Sequence, residues 1–136
     1  MNVYFSGIGG VGIGPLAEIA KDAGYTVQGS DMHDSLVTAE LRARGIEVST
    51  DQSGAFLEHC HVGRPIDWFV YTASLPVDHP ELVKARQLGI HTAKRDELLN
   101  QIIKQKNLKL IAIAGTHGKT TTTAMVVWTL RQLGIA

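Results

Sequence analysis

The spacing of apolar positions switches back and forth between strand-like and helix-like along the chain. Val3-Tyr4-Phe5 is a short β-prone run that enters a glycine-rich stretch. After it, Leu16, Ile19, Ala20 and Ala23 recur at helical spacing, with Pro15 in the first turn and Gly24 as a stop. Residues 25–29 read as a second strand closing on Ser30-Asp31. A helix over 36–44 is stopped by Gly45, and Ile46-Glu47-Val48 reads as a third strand. Residues 67–71 form the clearest buried strand of the middle section. A helix follows over 79–88, with Pro80 at its start and Gly89 at its end, and another spans 96–103. The run 108–114 reads as a strand, and 120–133 as a helix ended by Gly134. Strands separated by helical stretches predict an α/β fold with a parallel sheet of βαβ units.

Residues 101–107 turn polar and charged, and they mark a domain boundary: 1–106 as one domain, 107–136 as the start of another. Composition changes this picture little. The 136 residues are 44% hydrophobic, enough for an ordinary buried core. Acidic and basic residues balance at 13 each, so bulk charge favours neither nucleic acid nor an anionic membrane. The single cysteine, Cys60, has no internal disulfide partner and reads as a small, partly buried hydrophobe. Neither a leader peptide nor a run of membrane-spanning length is visible, so a cytoplasmic location is the default expectation.

Candidate chemistry concentrates in two loops. Gly7, Gly9 and Gly12 fit G-x-G-x-x-G directly after a strand and before a helix. The first glycine allows a tight turn, the second lets backbone approach a diphosphate, and the third packs helix on strand. Backbone N–H groups of this loop and the helix dipole favour phosphate, which nominates Gly9, Gly10, Val11 and Gly12. Asp31 closes the second strand, 19 residues after Gly12, where a carboxylate can accept hydrogen bonds from a ribose. This arrangement predicts a Rossmann-like first domain. NAD, FAD and UDP-sugars all present a diphosphate and a ribose, so the loop alone leaves its ligand open.

The second loop is Gly115-Thr116-His117-Gly118-Lys119-Thr120-Thr121. Gly118-Lys119-Thr120 is the end of a P-loop in which Lys119 reaches the β and γ phosphates and the Thr120 hydroxyl ligates Mg²⁺. The general pattern wants glycine at position 113, where this chain has Ile113. His117 contributes backbone rather than a base. Thr120 to Thr123 are poor helix formers, tolerated at a helix start where hydroxyls face phosphate or metal. The remaining histidines show no metal-ligand spacing with cysteine, and His59-Cys60-His61 reads as filler. Trp68 and Trp128 read as core residues.

These motifs together resemble the Mur ligase family, the ATP-dependent amide-forming enzymes of peptidoglycan synthesis. The resemblance rests on the Gly7–Gly12 loop, Gly29-Ser30-Asp31, His79-Pro80-Glu81 after an apolar strand, and residues 112–125 around the P-loop, and it runs through nearly the whole chain. Ile113 is what this family usually shows. Where the family commonly has Ser-Ser-Ala and Asn-Pro-Glu, this chain has Thr72-Ala73-Ser74 and His79-Pro80-Glu81. The resemblance implies that the first domain holds the UDP part of UDP-N-acetylmuramic acid through Gly9, Gly10, Val11, Gly12, Asp31 and Ser74. It implies ATP and Mg²⁺ as cofactors on residues 115–121, with Lys119 and Thr120 in catalytic roles, and L-alanine as second substrate. ATP would convert the lactyl carboxylate to an acyl phosphate, which the amine then attacks. On this reading the chain is an N-terminal fragment that binds the UDP-sugar and is inactive alone, without nucleic-acid or membrane partners.

Three rival readings remain. A murein-tripeptide recycling ligase acts on the same UDP-sugar, although Arg95-Asp96-Glu97-Leu98-Leu99 looks more like the alanine-adding members. A nicotinamide-dependent dehydrogenase domain explains Gly7 to Asp31 but gives the P-loop no purpose. A non-enzymatic nucleotide-binding module is the third.

Overall fold

The computed structural model describes residues 1–106. The expectations for the strand at 108–114, the P-loop at 115–121, the helix at 120–133 and Trp128 lie outside the described residues. The described part is α/β: β1 (Asn2–Ser6), α1 (Gly14–Asp22), β2 (Thr26–Ser30), α2 (Leu36–Ala43), β3 (Glu47–Ser49), α3 (Ala55–Gly63), β4 (Trp68–Tyr71), α4 (Pro80–Gln87), β5 (His91–Lys94) and α5 (Arg95–Lys106). Its five strands are parallel and ordered β3-β2-β1-β4-β5. The strand order reverses direction between β1 and β4, which creates a crevice at their carboxyl ends where ligands of open α/β sheets bind.

The period-2 geometry of the strands sorts the core onto two faces. On one face Val3, Phe5, Val27, Val48 and Val70 meet Leu16, Ala17 and Ala20 of α1, Leu41 of α2, and Leu98 and Ile102 of α5. On the other, Tyr4 and Phe69 meet Leu57 of α3 and Leu82 and Ala85 of α4. The Tyr4 and Phe69 rings stack with centroids 5.7 Å apart. β1 is buried along its whole length, as the centre of the sheet must be.

Local signals explain most element ends. Pro15 occupies the first turn of α1, and α2 opens with Ser35 and Thr38 capping each other's backbone N–H at 3.3 and 2.8 Å. His79 caps α4 with its imidazole, Nδ1 accepting from the Glu81 N–H at 3.1 Å. A histidine thereby does what asparagine does at such a position.

Two elements escape the hydrophobic pattern. α3 begins after Gly54 at φ 100° without a side-chain cap, and only Leu57 is fully buried along it. β5 is four residues, His91-Thr92-Ala93-Lys94, of which only Ala93 is buried. A short edge strand of this kind carries almost no alternation to read. α5 also continues to Lys106, through the polar segment from which the boundary is read. No helix among the described residues is long and apolar enough to cross a membrane.

Candidate functional site

Every nominated residue in the described part sits at the carboxyl edge of the sheet. The glycine loop follows β1, Asp31 follows β2, Ser74 lies beyond β4, and Lys94-Arg95 join β5 to α5. Gly7 supplies the turn expected of it, at φ 76°. The Ser30 carbonyl accepts from both the Gly7 and Ile8 N–H groups, at 2.8 and 2.9 Å, and so fixes the loop to β2.

The loop's amides divide into engaged and free. The Gly9 N–H donates to Asp31 Oδ2 at 2.8 Å, and the Gly10 N–H donates to the Gly7 carbonyl at 3.0 Å. The Val11 and Gly12 N–H groups have no acceptor among the described residues. Val11 is also 95% exposed, so both free donors stand at the open tip, just before α1. Two adjacent N–H groups at a helix start are what a diphosphate oxygen requires.

Asp31 takes a structural duty. Its second oxygen, Oδ1, accepts from the His33 N–H at 3.1 Å, so the carboxylate ties the glycine loop to the turn after β2. A Cβ on Gly9 would lie 2.9 Å from Asp31 Oδ2 and 3.0 Å from Thr38 Cγ2, so this position admits no side chain while Asp31 holds the loop.

Gly12 departs from the expected role of packing helix on strand. The nearest atoms a Cβ there would meet belong to the Arg95 side chain, with Nη1 at 1.7 Å and Cζ at 3.0 Å. The close helix contact falls at Gly14, where a Cβ would lie 3.1 Å from Val37 Cγ1 and 3.3 Å from the Ile8 carbonyl oxygen.

Arg95 and Asp96 border two grooves. One, of about 550 Å³, is lined by residues 71–74 and 94–96, and the other, of about 290 Å³, by Gly12, Pro15 and neighbouring apolar residues of α1 and α5. Ser74 is exposed on the rim of the larger groove, its hydroxyl 2.8 Å from that of Thr72.

Beneath the loop lies a polar cluster that sequence reasoning missed. Glu81 is completely buried in the first turn of α4. Its Oε1 accepts from the Ser6 and Ser30 hydroxyls at 2.7 and 2.6 Å, and its Oε2 accepts from the Tyr4 hydroxyl at 2.5 Å. Burial, and then the Glu81 charge, raise the Tyr4 phenol far above its ordinary value near 10. Ser6 immediately precedes Gly7 and Ser30 carries the carbonyl that anchors it, so Glu81 supports the loop from below. The signal available in the sequence was an acidic residue in the first turn of a helix aimed at two strand ends carrying serine. Of the histidine trio, His61 Nδ1 accepts from the Ile66 N–H at 3.0 Å, and burial first, then Glu47 and Glu81, push the Cys60 thiol up to about 11.

The sheet order, with the glycine loop at the switch point, is that of a Rossmann-like α/β fold. Residues 2–107 match the family model described as Mur ligase family, catalytic domain, and the chain belongs to that family. It is 43% identical over 125 residues to the UDP-N-acetylmuramate–L-alanine ligase of Acetivibrio thermocellus, covering 92% of this chain and 25% of that protein. The solved UDP-N-acetylmuramate-alanine ligase of Thermotoga maritima superposes with a TM-score of 0.80 at 32% identity, over 98% of this chain and 30% of that one. The UDP-N-acetylmuramate:L-alanyl-gamma-D-glutamyl-meso-diaminopimelate ligase of Neisseria meningitides gives 0.81 at 30% identity, over 99% and 40%. The chain thus spans about a quarter of the length of the curated relatives it matches.

Proposed function

We propose that this chain supplies the nucleotide-sugar-binding part of an ATP-dependent ligase that joins L-alanine to UDP-N-acetylmuramic acid during peptidoglycan synthesis in the cytoplasm. The observation that carries the reading is the pair of unengaged amides at Val11 and Gly12, presented at the switch point of a sheet shared with Mur ligases. The diphosphate sits on those amides, and the Gly9 and Gly10 amides act by holding the loop's shape. Asp31 serves the ribose only with lone pairs left over from Gly9 and His33. Ser74, on the rim of the larger groove, takes the sugar side.

Residues 1–106 form the UDP-sugar domain and 107–136 open the ATP-binding domain. On residues 115–121, Lys119 steadies phosphoryl oxygens and Thr120 ligates Mg²⁺. ATP supplies the phosphoryl group that activates the lactyl carboxylate.

A second reading, tripeptide addition to the same UDP-sugar, has support in the Neisseria structure, which superposes as well as the alanine-adding one. Both readings share the first substrate, so one titration tests them together against a dehydrogenase. Saturable binding of UDP-N-acetylmuramate with weak or absent NADH binding is the expected result. Tight NADH binding without response to the sugar nucleotide overturns both.

A further inference from the structure

We infer that Arg95 is a ligand-binding residue whose guanidinium forms the positive wall of the glycine-loop site and pairs with the diphosphate of the bound nucleotide sugar. The inference rests on the glycine loop being the diphosphate site, and it adds a side chain to a site so far built from backbone alone.

Arg95 is the first residue of α5, directly after edge strand β5, at the same carboxyl edge as the glycine loop. It comes from the far side of the switch point, yet its guanidinium lies against Gly12 closely enough that no Cβ fits between them. Gly12 is also one of the two residues whose N–H is unengaged. The guanidinium therefore stands beside Gly12, next to the free donors.

Among the described residues its charge is unpaired. No carboxylate among the described residues lies within 4.0 Å of the Arg95 guanidinium, although Asp96 borders the same two grooves. An exposed arginine gains little by resting on a glycine, because water solvates it as well. Beside two N–H donors, its planar fork completes a set of donors converging on phosphate oxygens, bidentate on its own side. Lys94 is exposed in the larger groove and adds a second positive charge toward Ser74. The substrate class that fits is an extended dianion, with the nucleoside on the β2 side and the diphosphate between Gly12 and Arg95. The sugar then enters the groove of about 550 Å³.

Calorimetric titration of UDP-N-acetylmuramate into the unsubstituted 136-residue chain, R95Q and R95K tests the assignment. Removing one charge-assisted, bidentate contact weakens binding by roughly 10- to 100-fold in R95Q. R95K recovers only part, since an ammonium cannot offer the fork. Affinity should fall less steeply with added salt in R95Q than in the unsubstituted chain, and the thermal midpoint should stay put because Arg95 is exposed. R95Q binding as tightly as the unsubstituted chain, or more tightly, overturns the assignment and leaves the glycine-loop reading intact. A lowered midpoint with equal losses in both variants also overturns it, as a packing role would. An unsubstituted chain that ignores the sugar nucleotide removes both readings.

Discussion

The two faces of the sheet are built on different principles. The face under α1, α2 and α5 is largely dry: aliphatic side chains and Phe5 interdigitate, and the polar groups buried with these elements are the Thr38 hydroxyl of α2 and the Tyr25 phenol, which bonds Gln105 of α5. The face under α3 and α4 is smaller and carries the buried polar groups Asn2, Ser6, Gln28, Ser30 and Glu81 beside the Tyr4–Phe69 stack. Every one of them is satisfied, since no buried side-chain polar atom among the described residues lacks a partner. Gln28 Nε2, for example, donates to Asn2 Oδ1 and the Val3 carbonyl at 2.8 and 2.6 Å. The dry face supplies stability, whereas the polar face fixes the strand ends from which the phosphate loop departs. A glycine loop has few side chains to hold its shape, so a satisfied network beneath it is a physical necessity.

The largest loss is expected on the dry face. Phe5→Ala leaves a cavity at the centre of the larger core and should cost about 3–5 kcal/mol in urea unfolding. A loss below about 1 kcal/mol would mean that this face is loosely filled. On the polar side Glu81→Gln keeps the volume but sets an NH₂ against hydroxyl donors, for about 1–3 kcal/mol. It should also weaken sugar-nucleotide binding, which Phe5→Ala should not do in proportion to its larger cost. Equal coupling of both variants to binding would erase the distinction between the faces.

Tyr4 sharpens the contrast through pH. Its folded-state value is raised, so the folded chain keeps the proton after the unfolded chain loses it near pH 10. The contribution is complete below pH 10, and stability then falls as pH rises further, by up to about 1.4 kcal/mol per pH unit. Tyr4→Phe should flatten that alkaline slope, and an unchanged slope would argue against the burial of the phenol. The smallest effect belongs to His79→Ala, which removes the cap of α4 for about 1 kcal/mol, while His79→Asn should be close to neutral.

How much was legible in the sequence follows the same division. Val3, Phe5, Leu16 and Ala20 announce strand and helix by period, and the dry face could be read from them. Gly7 fell where its turn demands it. Ser6, Gln28, Ser30 and Glu81 look like surface residues in a sequence, because nothing local says that their side-chain partners lie 22 to 77 positions away. β5 was missed because four residues with one buried side chain make no pattern, and with it went the position of Arg95. That residue entered the sequence reading only as a mark distinguishing family branches. The structure moved it to the rim, against Gly12. Asp31 carries a duty that its place after β2 does not announce: each of its oxygens also accepts a backbone N–H.

Whether a diphosphate lands on the Val11 and Gly12 amides is decided by amide NMR of the ¹⁵N-labelled chain during a UDP-N-acetylmuramate titration. The largest shifts should fall on Val11 and Gly12, with smaller ones at Gly9 and Gly10, whose N–H groups are already engaged. Saturable binding that leaves Val11 and Gly12 unmoved while other amides shift would contradict that placement.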